Sequence, residues 1–600
     1  MVLFLLLAAA ARLGQLTWYS IDVDEGVSYG LTQLPIRDLL QNTLTVAIDP
    51  HPFVYYLLLR PIIALVGPND VGIHLFSALS GILFIALLYQ LGRHLFGTRA
   101  AQIAALLAAL NAILIYESLD ARMYMLAGTF AVAGLYALLK QRWVVALVCF
   151  TLLGYTHVVG IIVLATLGAA TSARALLEWR ANRPNDVRAS VWSIGVVTLS
   201  GLLTLPYLLI LGQASGTSGV VTRDVLGFGE LLLFTARTVL FYQAALPNGV
   251  AIGVALLVGV AVLYGVWGLR NRPILNVWLT LLLIVPLLLI VILSQRQAIL
   301  QPKMYVAMTV PPLLLLIGGG LGLGWHKQRA VSGVLLGLLV ITSLFGMRAI
   351  FQPPLQRENW RAAADYLNQL RGTNDTTIAH LHFYENPLEF YLKDNAETPF
   401  GSHLTDEAEV ERGLAPFLNS EVIWLAQSGH LFTDPDSLLE NWLAARYPLV
   451  TAQFPSNITL KGFLINAVDQ PPLAGTVEHA LVYDNGVQVT GAWIDQKRLA
   501  ATDVWLHPPS NWLHVVVYGN SAEYQLTIED DGGNVWGGQL PRTGVPLPTT
   551  PNTIIRHDYD LNLNPDMPPG IYKVVLRQAG NIPHNGGVDW YILDTVEIIK

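Results

Sequence analysis

Long apolar runs dominate residues 1–350, whereas the remaining sequence alternates short apolar and polar stretches. A helix that crosses a bilayer needs ~20 mostly apolar residues, and the first part of the chain contains about eleven such runs. The pattern therefore predicts a polytopic α-helical membrane domain over residues 1–350. The predicted spans lie near residues 1–16, 71–92, 100–117, 121–139, 143–156, 158–173, 190–212, 249–269, 275–294, 305–324 and 331–349.

The sequence after residue 350 predicts two further domains. Residues 355–468 mix helical and strand-like patterns, which favours a small α/β domain. Its predicted elements are helices over 358–370 and 435–446 and strands over 376–383, 421–427 and 457–465. Residues 475–600 contain short alternating runs separated by turn signals, which is typical of an all-β sandwich with a jelly-roll-like arrangement.

Basic residues indicate which side of the membrane each loop faces, because cytoplasmic loops are rich in Lys and Arg. When the spans are numbered from a cytoplasmic N-terminus, every loop predicted to lie inside is basic. These loops contain Arg93 and Arg99; Lys140 and Arg142; Arg174, Arg180, Arg183 and Arg188; Arg270 and Arg272; and Lys327 and Arg329. The first outer loop, residues 17–70, and everything after residue 350 are therefore predicted to be extracytoplasmic.

The first outer loop contains two further helical patterns. Residues 34–46 are amphipathic, and residues 51–60 are apolar but too short to cross a bilayer, so both are predicted to lie in the membrane interface. A span over 52–66 would reverse the side of all later loops and place the arginine-rich 174–188 segment outside. We reject this alternative for that reason.

Composition narrows the class of protein. Only 13% of the 600 residues are charged, against about 25% in typical soluble domains, and 53% are hydrophobic. The net charge of -7 gives no support for nucleic-acid binding. Cys149 is the only cysteine, so the chain has neither an intrachain disulfide nor a cysteine-based metal site.

Two adjacent carboxylates, Asp24 and Glu25, follow the first apolar run. Charged groups at a membrane boundary are costly and usually mark a working site, whereas an acidic solvated loop is the common alternative. Asp22, two residues earlier, is interpreted as such a solvated residue.

Five short motifs occur in a fixed order through the predicted membrane domain. They are Asp24-Glu25-Gly26, His51-Pro-Phe-Val-Tyr-Tyr-Leu57, Arg93-His-Leu-Phe-Gly97, Glu117-Ser-Leu-Asp-Ala-Arg-Met-Tyr124 and Gln301-Pro-Lys-Met-Tyr305. In this order they resemble glycosyltransferase family 39, the GT-C enzymes that include protein O-mannosyltransferases and aminoarabinose transferases. The chain departs from the family at Phe53, where the family often has Pro, and at Lys303, where it commonly has Arg.

The resemblance implies a GT-C-like membrane glycosyltransferase with an extracytoplasmic active site and a polyprenyl-phosphate-linked sugar donor. Asp24, by its place in the family's Asp-Glu motif, would be the general base that takes the proton of the acceptor hydroxyl. Glu25 would orient the acceptor or tune Asp24. Direct attack on the donor then inverts the configuration of the anomeric carbon.

The leaving phosphate needs positive charge and hydrogen bonds rather than a proton. Arg122 is the candidate phosphate ligand, since its planar fork suits a phosphate, and Lys303 and Arg296 are candidates on the same side. The alternative for Arg122 is an interfacial arginine that reaches the headgroups. The supporting candidates are Asp120, Tyr124, His51, Asp49 and His157, of which His157 has a purely structural alternative. No metal and no cofactor are expected.

Two other classes of function remain open. A transporter or flippase for a lipid-linked saccharide would be expected to show internal repeats, and no repeat is evident between the two halves of the membrane region. A non-catalytic, membrane-anchored glycan-binding protein would use the β domain. The preferred interpretation is an enzyme of a bacterial plasma membrane whose acceptor is a lipid, a glycan or a protein.

Overall fold

The computed structural model describes residues 1–45, 51–214, 228–242, 247–294, 301–325, 328–352, 357–381, 387–392, 396–400, 404–453, 457–466, 472–483, 486–500, 512–520, 524–539, 545, 553–564, 566–578 and 590–599. The chain forms two compact units. The first comprises Met1–Tyr19 and Val27–Gln356, and the second comprises Ser20–Gly26 and Arg357–Lys600. The short segment that carries Asp24 and Glu25 therefore groups with the C-terminal half.

The first unit is helical. Its helices are α1 (Val2–Leu13), α2 (Val23–Gln33, which begins in the second unit), α3 (Ile36–Leu44), α4 (Val54–Val66), α5 (Asp70–Phe96), α6 (Thr98–Ala109), α7 (Ala112–Tyr116), α8 (Tyr124–Leu139), α9 (Trp143–Gly154), α10 (Val159–Arg180), α11 (Pro184–Ala214), α12 (Phe228–Phe241), α13 (Asn248–Gly268), α14 (Pro273–Ser294), α15 (Tyr305–Met308), α16 (Val310–Gly324) and α17 (Arg329–Ile350).

Each of the eleven predicted spans coincides with a helix or a bent helix pair. Among the described residues, six helices are long and apolar enough to cross a membrane, or up to eight if each bent pair is one span. The other three predicted spans coincide with α1, α8 and α9, which are shorter than the usual ~17-residue minimum. Several spans are confirmed, and the total of eleven stays a prediction.

Local sequence explains where the helices begin, end and break. Helix α5 begins after Asn69, whose side chain accepts a hydrogen bond from the Gly72 amide at 2.9 Å, and it ends at Gly97 with a positive φ of 93°. The α15–α16 pair bends by 56°. Pro311 and Pro312 lack the amide hydrogens that would continue the helical ladder there, so the bend follows from the sequence.

The second unit combines helices α18 (Trp360–Leu370), α19 (Glu407–Leu414) and α20 (Leu438–Arg446) with two sheets. The first sheet has the strand order β1-β2-β4-β3 and contains β1 (Thr376–Leu381), β2 (Val422–Ser428), β3 (Leu449–Gln453) and β4 (Thr459–Leu464). Strands β1 and β2 are parallel, and the other pairs are antiparallel. The predicted helices and strands of this region are confirmed; the sequence did not predict the short β3 and α19.

The second sheet contains β5 (Val477–Val482), β6 (Gln488–Ile494), β7 (Arg498–Ala500), β8 (Trp512–Gly519), β9 (Tyr524–Glu529), β10 (Val535–Gln539), β11 (Ile555–Leu563), β12 (Gly570–Gln578) and β13 (Trp590–Ile599). They form one ladder in the order β5-β6-β8-β11-β10-β9-β12-β13-β7. The prediction of a β-rich C-terminal region is confirmed.

This ladder must curl back on itself. Strand β6 ends at Ile494 and β7 begins at Arg498, yet the two lie at opposite sides of the ladder. A flat sheet would separate them by about 34 Å at ~4.8 Å per strand, whereas the link between them reaches at most about 14 Å. The curl brings the apolar faces of the strands around one core, as a two-layered β domain requires.

Candidate active site

In the first unit, the segment between α7 and α8 presents the predicted polar side chains. Asn111 caps α7 by accepting a hydrogen bond from the Leu114 amide, and a 3₁₀ turn over Glu117–Leu119 follows. The chain is then irregular until α8 begins at Tyr124, so Asp120 and Arg122 lie on a break between helices rather than within one. Both side chains are buried, with 1% and 3% exposure.

Polar neighbours hold the Arg122 guanidinium, among them His51 and Ser28. One terminal nitrogen, Nη2, lies 3.1 Å from Nδ1 of His51, and the other, Nη1, donates to the hydroxyl of Ser28 over 3.3 Å. The backbone carbonyl of Arg122 also accepts a hydrogen bond from the Ser77 hydroxyl over 3.4 Å. These contacts fix both the side chain and the backbone of Arg122, which an arginine reaching freely to the headgroups would not require.

His51, Tyr124 and His157 form an aromatic cluster next to Arg122. Ring centroids are 4.9 Å apart for the two histidines, 5.0 Å for Tyr124 and His157, and 6.5 Å for His51 and Tyr124. Nδ1 of His157 accepts a hydrogen bond from the Val159 amide at 2.9 Å, which leaves the ring hydrogen on Nε2. These three residues belong to the five supporting residues predicted from the sequence.

Lys303 supplies a second positive charge. The short 3₁₀ turn Pro302–Met304 precedes α15 and carries Lys303, whose ammonium nitrogen lies 3.4 Å from a carboxylate oxygen of Asp120 and 5.1 Å from the Tyr124 ring centroid. Lys303 therefore contacts both Asp120 and the aromatic cluster. Asp49 and Arg296, also predicted from the sequence, lie outside the described residues.

In the second unit, Asp22 and Glu25 cap the start of α2 reciprocally. The Glu25 amide donates to Asp22 Oδ1 at 2.9 Å, and the Asp22 amide donates to Glu25 Oε2 at 3.0 Å. This is the pattern of a capping box. The interpretation of Asp22 as a merely solvated loop residue was wrong, because Asp22 caps α2. The three-residue spacing between Asp22 and Glu25 was the sequence signal of this cap.

Glu25 also forms a buried ion pair with Arg357. Oε2 of Glu25 and Nη1 of Arg357 are 3.0 Å apart, and the side chains are 0% and 4% exposed. A charge buried to this degree needs a partner, so the two residues depend on each other. Sequence reasoning missed Arg357, although the charged Arg357-Glu358 pair directly after the last apolar run was a visible signal.

Glu358 adds a further acidic group to this segment of the second unit. Its carboxylate accepts hydrogen bonds from the Trp360 indole, over 2.7 Å, and from the Ser428 hydroxyl. Burial raises the pKa of Glu358 above its ordinary value, the two hydrogen bonds oppose this, and the negative charge of Asp24 adds to the rise in pKa. Asp24 itself is half-buried at the second position of α2.

Comparison with known proteins gives one family match and a fold. Residues 50–183, which include His51, Asp120, Arg122, Tyr124 and His157, match the family model described as dolichyl-phosphate-mannose-protein mannosyltransferase. Among curated proteins none matches the chain. The match confirms, for this part of the chain, the resemblance inferred from the ordered motifs.

The fold resembles ArnT from Cupriavidus metallidurans. The apo structure is 15% identical with a TM-score of 0.51, and the structure bound to undecaprenyl phosphate is 14% identical with a TM-score of 0.50; both alignments cover 77% of this chain and 97% of ArnT. The archaeal oligosaccharyltransferase AglB from Archaeoglobus fulgidus is 13% identical with a TM-score of 0.44, over 78% of this chain and 74% of AglB. The chain is thus a multi-pass membrane protein with a GT-C glycosyltransferase fold.

Proposed function

We propose that the protein is an inverting membrane glycosyltransferase that moves a sugar from a polyprenyl-phosphate donor to an acceptor hydroxyl. The observation that carries the proposal is the buried Arg122, held by His51 and Ser28 in the segment that matches a glycosyltransferase family. The undecaprenyl phosphate bound by ArnT, which has the same fold, supports a lipid-linked donor.

Arg122 and Lys303 bind the donor phosphate in this proposal. Negative charge grows on the phosphate as the bond to the sugar breaks, so preorganised cations stabilise the transition state more than the ground state. The contacts with His51 and Ser28 hold the guanidinium in place before the donor arrives. Lys303, whose ammonium nitrogen lies 3.4 Å from Asp120, supplies a second cation beside Arg122.

Asp24 acts as the general base. Successive residues of a helix point about 100° apart, so Asp24 and Glu25 present their carboxylates in different directions. Glu25 is already engaged by the cap of α2 and by Arg357, which suits a positioning role. Asp24 is half-buried at the second position of α2, and its place in the Asp-Glu motif supports the role of base.

The reaction takes place on the extracytoplasmic side of a bacterial plasma membrane in this proposal. The basic character of the predicted inner loops supports this side for residues 17–70 and for the region after residue 350. The acceptor is an extracytoplasmic lipid, glycan or protein hydroxyl. Metal ions and cofactors have no step in the scheme.

The test is turnover of a panel of polyprenyl-phosphate sugars by the purified protein in nanodiscs. Release of polyprenyl phosphate and a product with inverted anomeric configuration, determined by NMR, are expected with one or more donors. A retained configuration would contradict direct attack, and movement of intact donor between leaflets without bond cleavage would identify a flippase instead.

A further inference from the structure

A polar cavity lies at the opposite end of α8 from the candidate active site. Its volume is about 350 Å³, within the usual range of ligand pockets, and its lining includes Leu138 and Leu139 at the end of α8. Tyr124 and Leu138 are separated by about 21 Å along the helix at 1.5 Å per residue. The cavity is therefore distinct from the site around Arg122.

The inner wall of this cavity contains a prearranged arginine. Glu178 is buried and accepts two hydrogen bonds, one from Arg174 Nε at 2.7 Å and one from the Ser190 hydroxyl at 2.7 Å. The Arg174 guanidinium also lies 5.4 Å from the ring centroid of Trp278. The carboxylate and the ring thus fix the orientation of Arg174.

The rest of the Arg174 guanidinium is available to a ligand. Its two terminal nitrogens make no hydrogen bond to any residue that the structure describes, and the side chain is 25% exposed where it lines the cavity. A fixed guanidinium with open N–H groups is the arrangement that phosphate oxygens bind best. The wall therefore favours a phosphate group.

The rim adds one charge of each sign. Arg183 and Asp186 are exposed, lie at the start of α11 and line the cavity. Together with Arg174 and Glu178 they give two positive and two negative charges, so the lining is electrically balanced. A zwitterion matches such a lining, whereas a ligand with a net negative charge would leave Asp186 opposed by a like charge.

We infer that this cavity binds a phosphate ester that carries an amine, as in the headgroup of phosphatidylethanolamine. The phosphate contacts Arg174 and Arg183, and the ammonium group contacts Asp186. Apolar residues of the lining, such as Leu139 and Leu275, face the start of the acyl chains. The basic loops at this end of the helices are those predicted to be cytoplasmic, so the cavity faces the headgroups of the inner leaflet.

The experiment measures lipid retention by native mass spectrometry after purification into detergent with equal amounts of phosphatidylethanolamine, phosphatidylcholine and phosphatidylglycerol. The wild-type chain is expected to retain phosphatidylethanolamine preferentially. Arg183→Ala and Asp186→Asn, which change exposed side chains and spare the buried wall, should each weaken retention about tenfold or more. Arg188→Ala, on the same helix but outside the lining, is the matched control and should retain the lipid fully.

Three outcomes would overturn the inference: equal retention of phosphatidylcholine, preferential retention of phosphatidylglycerol, or unchanged retention in both rim variants. A parallel titration with soluble phosphoethanolamine shows whether the cavity recognises the headgroup by itself or only as part of a lipid. Competition by the soluble compound supports recognition of the headgroup alone. Retention of the lipid without such competition supports a site that also requires the acyl chains.

Discussion

The buried ion pair between Glu25 and Arg357 predicts a strong energetic coupling between these residues. Both side chains are almost fully buried, so loss of one partner leaves an uncompensated charge and costs about 3–5 kcal/mol. Glu25→Gln keeps an oxygen that can still accept a hydrogen bond from the Asp22 amide. This change therefore removes the charge while sparing the cap of α2. Arg357→Met removes the other charge with a side chain of similar length.

The double variant should be less destabilised than the sum of the two single variants. It contains neither buried charge, and a coupling energy of about 1–3 kcal/mol is expected from the cycle. Hydrogen-exchange mass spectrometry in nanodiscs, on peptides that cover residues 20–33 and 357–370, measures the local opening free energy directly. Additive losses would refute the reasoning, because they would show that the two charges do not stabilise each other.

An exposed ion pair in the same unit provides the control. Nε of Arg498 and Oε2 of Glu597 are 2.8 Å apart, with side chains 68% and 47% exposed. The same cycle with Arg498→Met and Glu597→Gln should give a coupling of about 0.2–1 kcal/mol, read from the peptide that covers residues 590–599. Equal coupling energies for the two pairs would mean that burial does not strengthen the interaction between the charges.

Three further predictions follow from other parts of the molecule. Burial lowers the pKa of His514, but the charges and hydrogen bonds of Asp560 and Asp558 outweigh this effect and raise the pKa from 6.5 to about 9. The stabilisation by protonated His514 is complete below pH 6.5 and is lost as the pH rises through about 9. The wild-type melting temperature should therefore fall over this interval, and His514→Gln should remove most of this pH dependence. Gly320→Ala should lower the melting temperature, because a Cβ there would lie 2.3 Å from the Gly265 Cα, whereas Gly253→Ala, which meets open space, should not. In a Cys149→Ser background, an impermeant thiol reagent applied to intact cells should label a cysteine introduced at Ser218 and not one at Asn182; the reverse pattern would contradict the proposed orientation.

The helices could be predicted from the sequence because the length and hydropathy of a run largely determine a membrane helix. The breaks were harder to predict. Residues 100–117 form a continuous apolar run, yet the chain bends by 61° between α6 and α7 near Asn111. The side-chain Nδ2 of Asn111 donates to the Val239 carbonyl at 2.7 Å, a partner from a distant helix that no local pattern reveals.

In the candidate site, too, the sequence predicted some features and not others. Ordered motifs identified His51, Arg122, Tyr124 and Lys303, and His157 was a separate candidate. The structure brings these residues of the first unit together. Their partners were not predictable, because contacts such as Lys303 with Asp120 depend on the packing of helices far apart in sequence. The ion pair of Glu25 with Arg357 was not predictable for the same reason, because no pattern in the sequence connects these two distant residues.

The central claim is that Asp24 takes the acceptor proton while Arg122 binds the donor phosphate, and one comparison tests it most directly. Donor affinity and single-turnover rate are measured for Asp24→Asn, Arg122→Lys and Arg122→Ala in the same nanodisc preparation. Asp24→Asn should lower the rate by about 10²–10⁴ with nearly unchanged donor affinity. Arg122→Ala should lower both, and Arg122→Lys should restore only part, because a point charge cannot reproduce the planar fork. Wild-type turnover by Asp24→Asn would contradict the account.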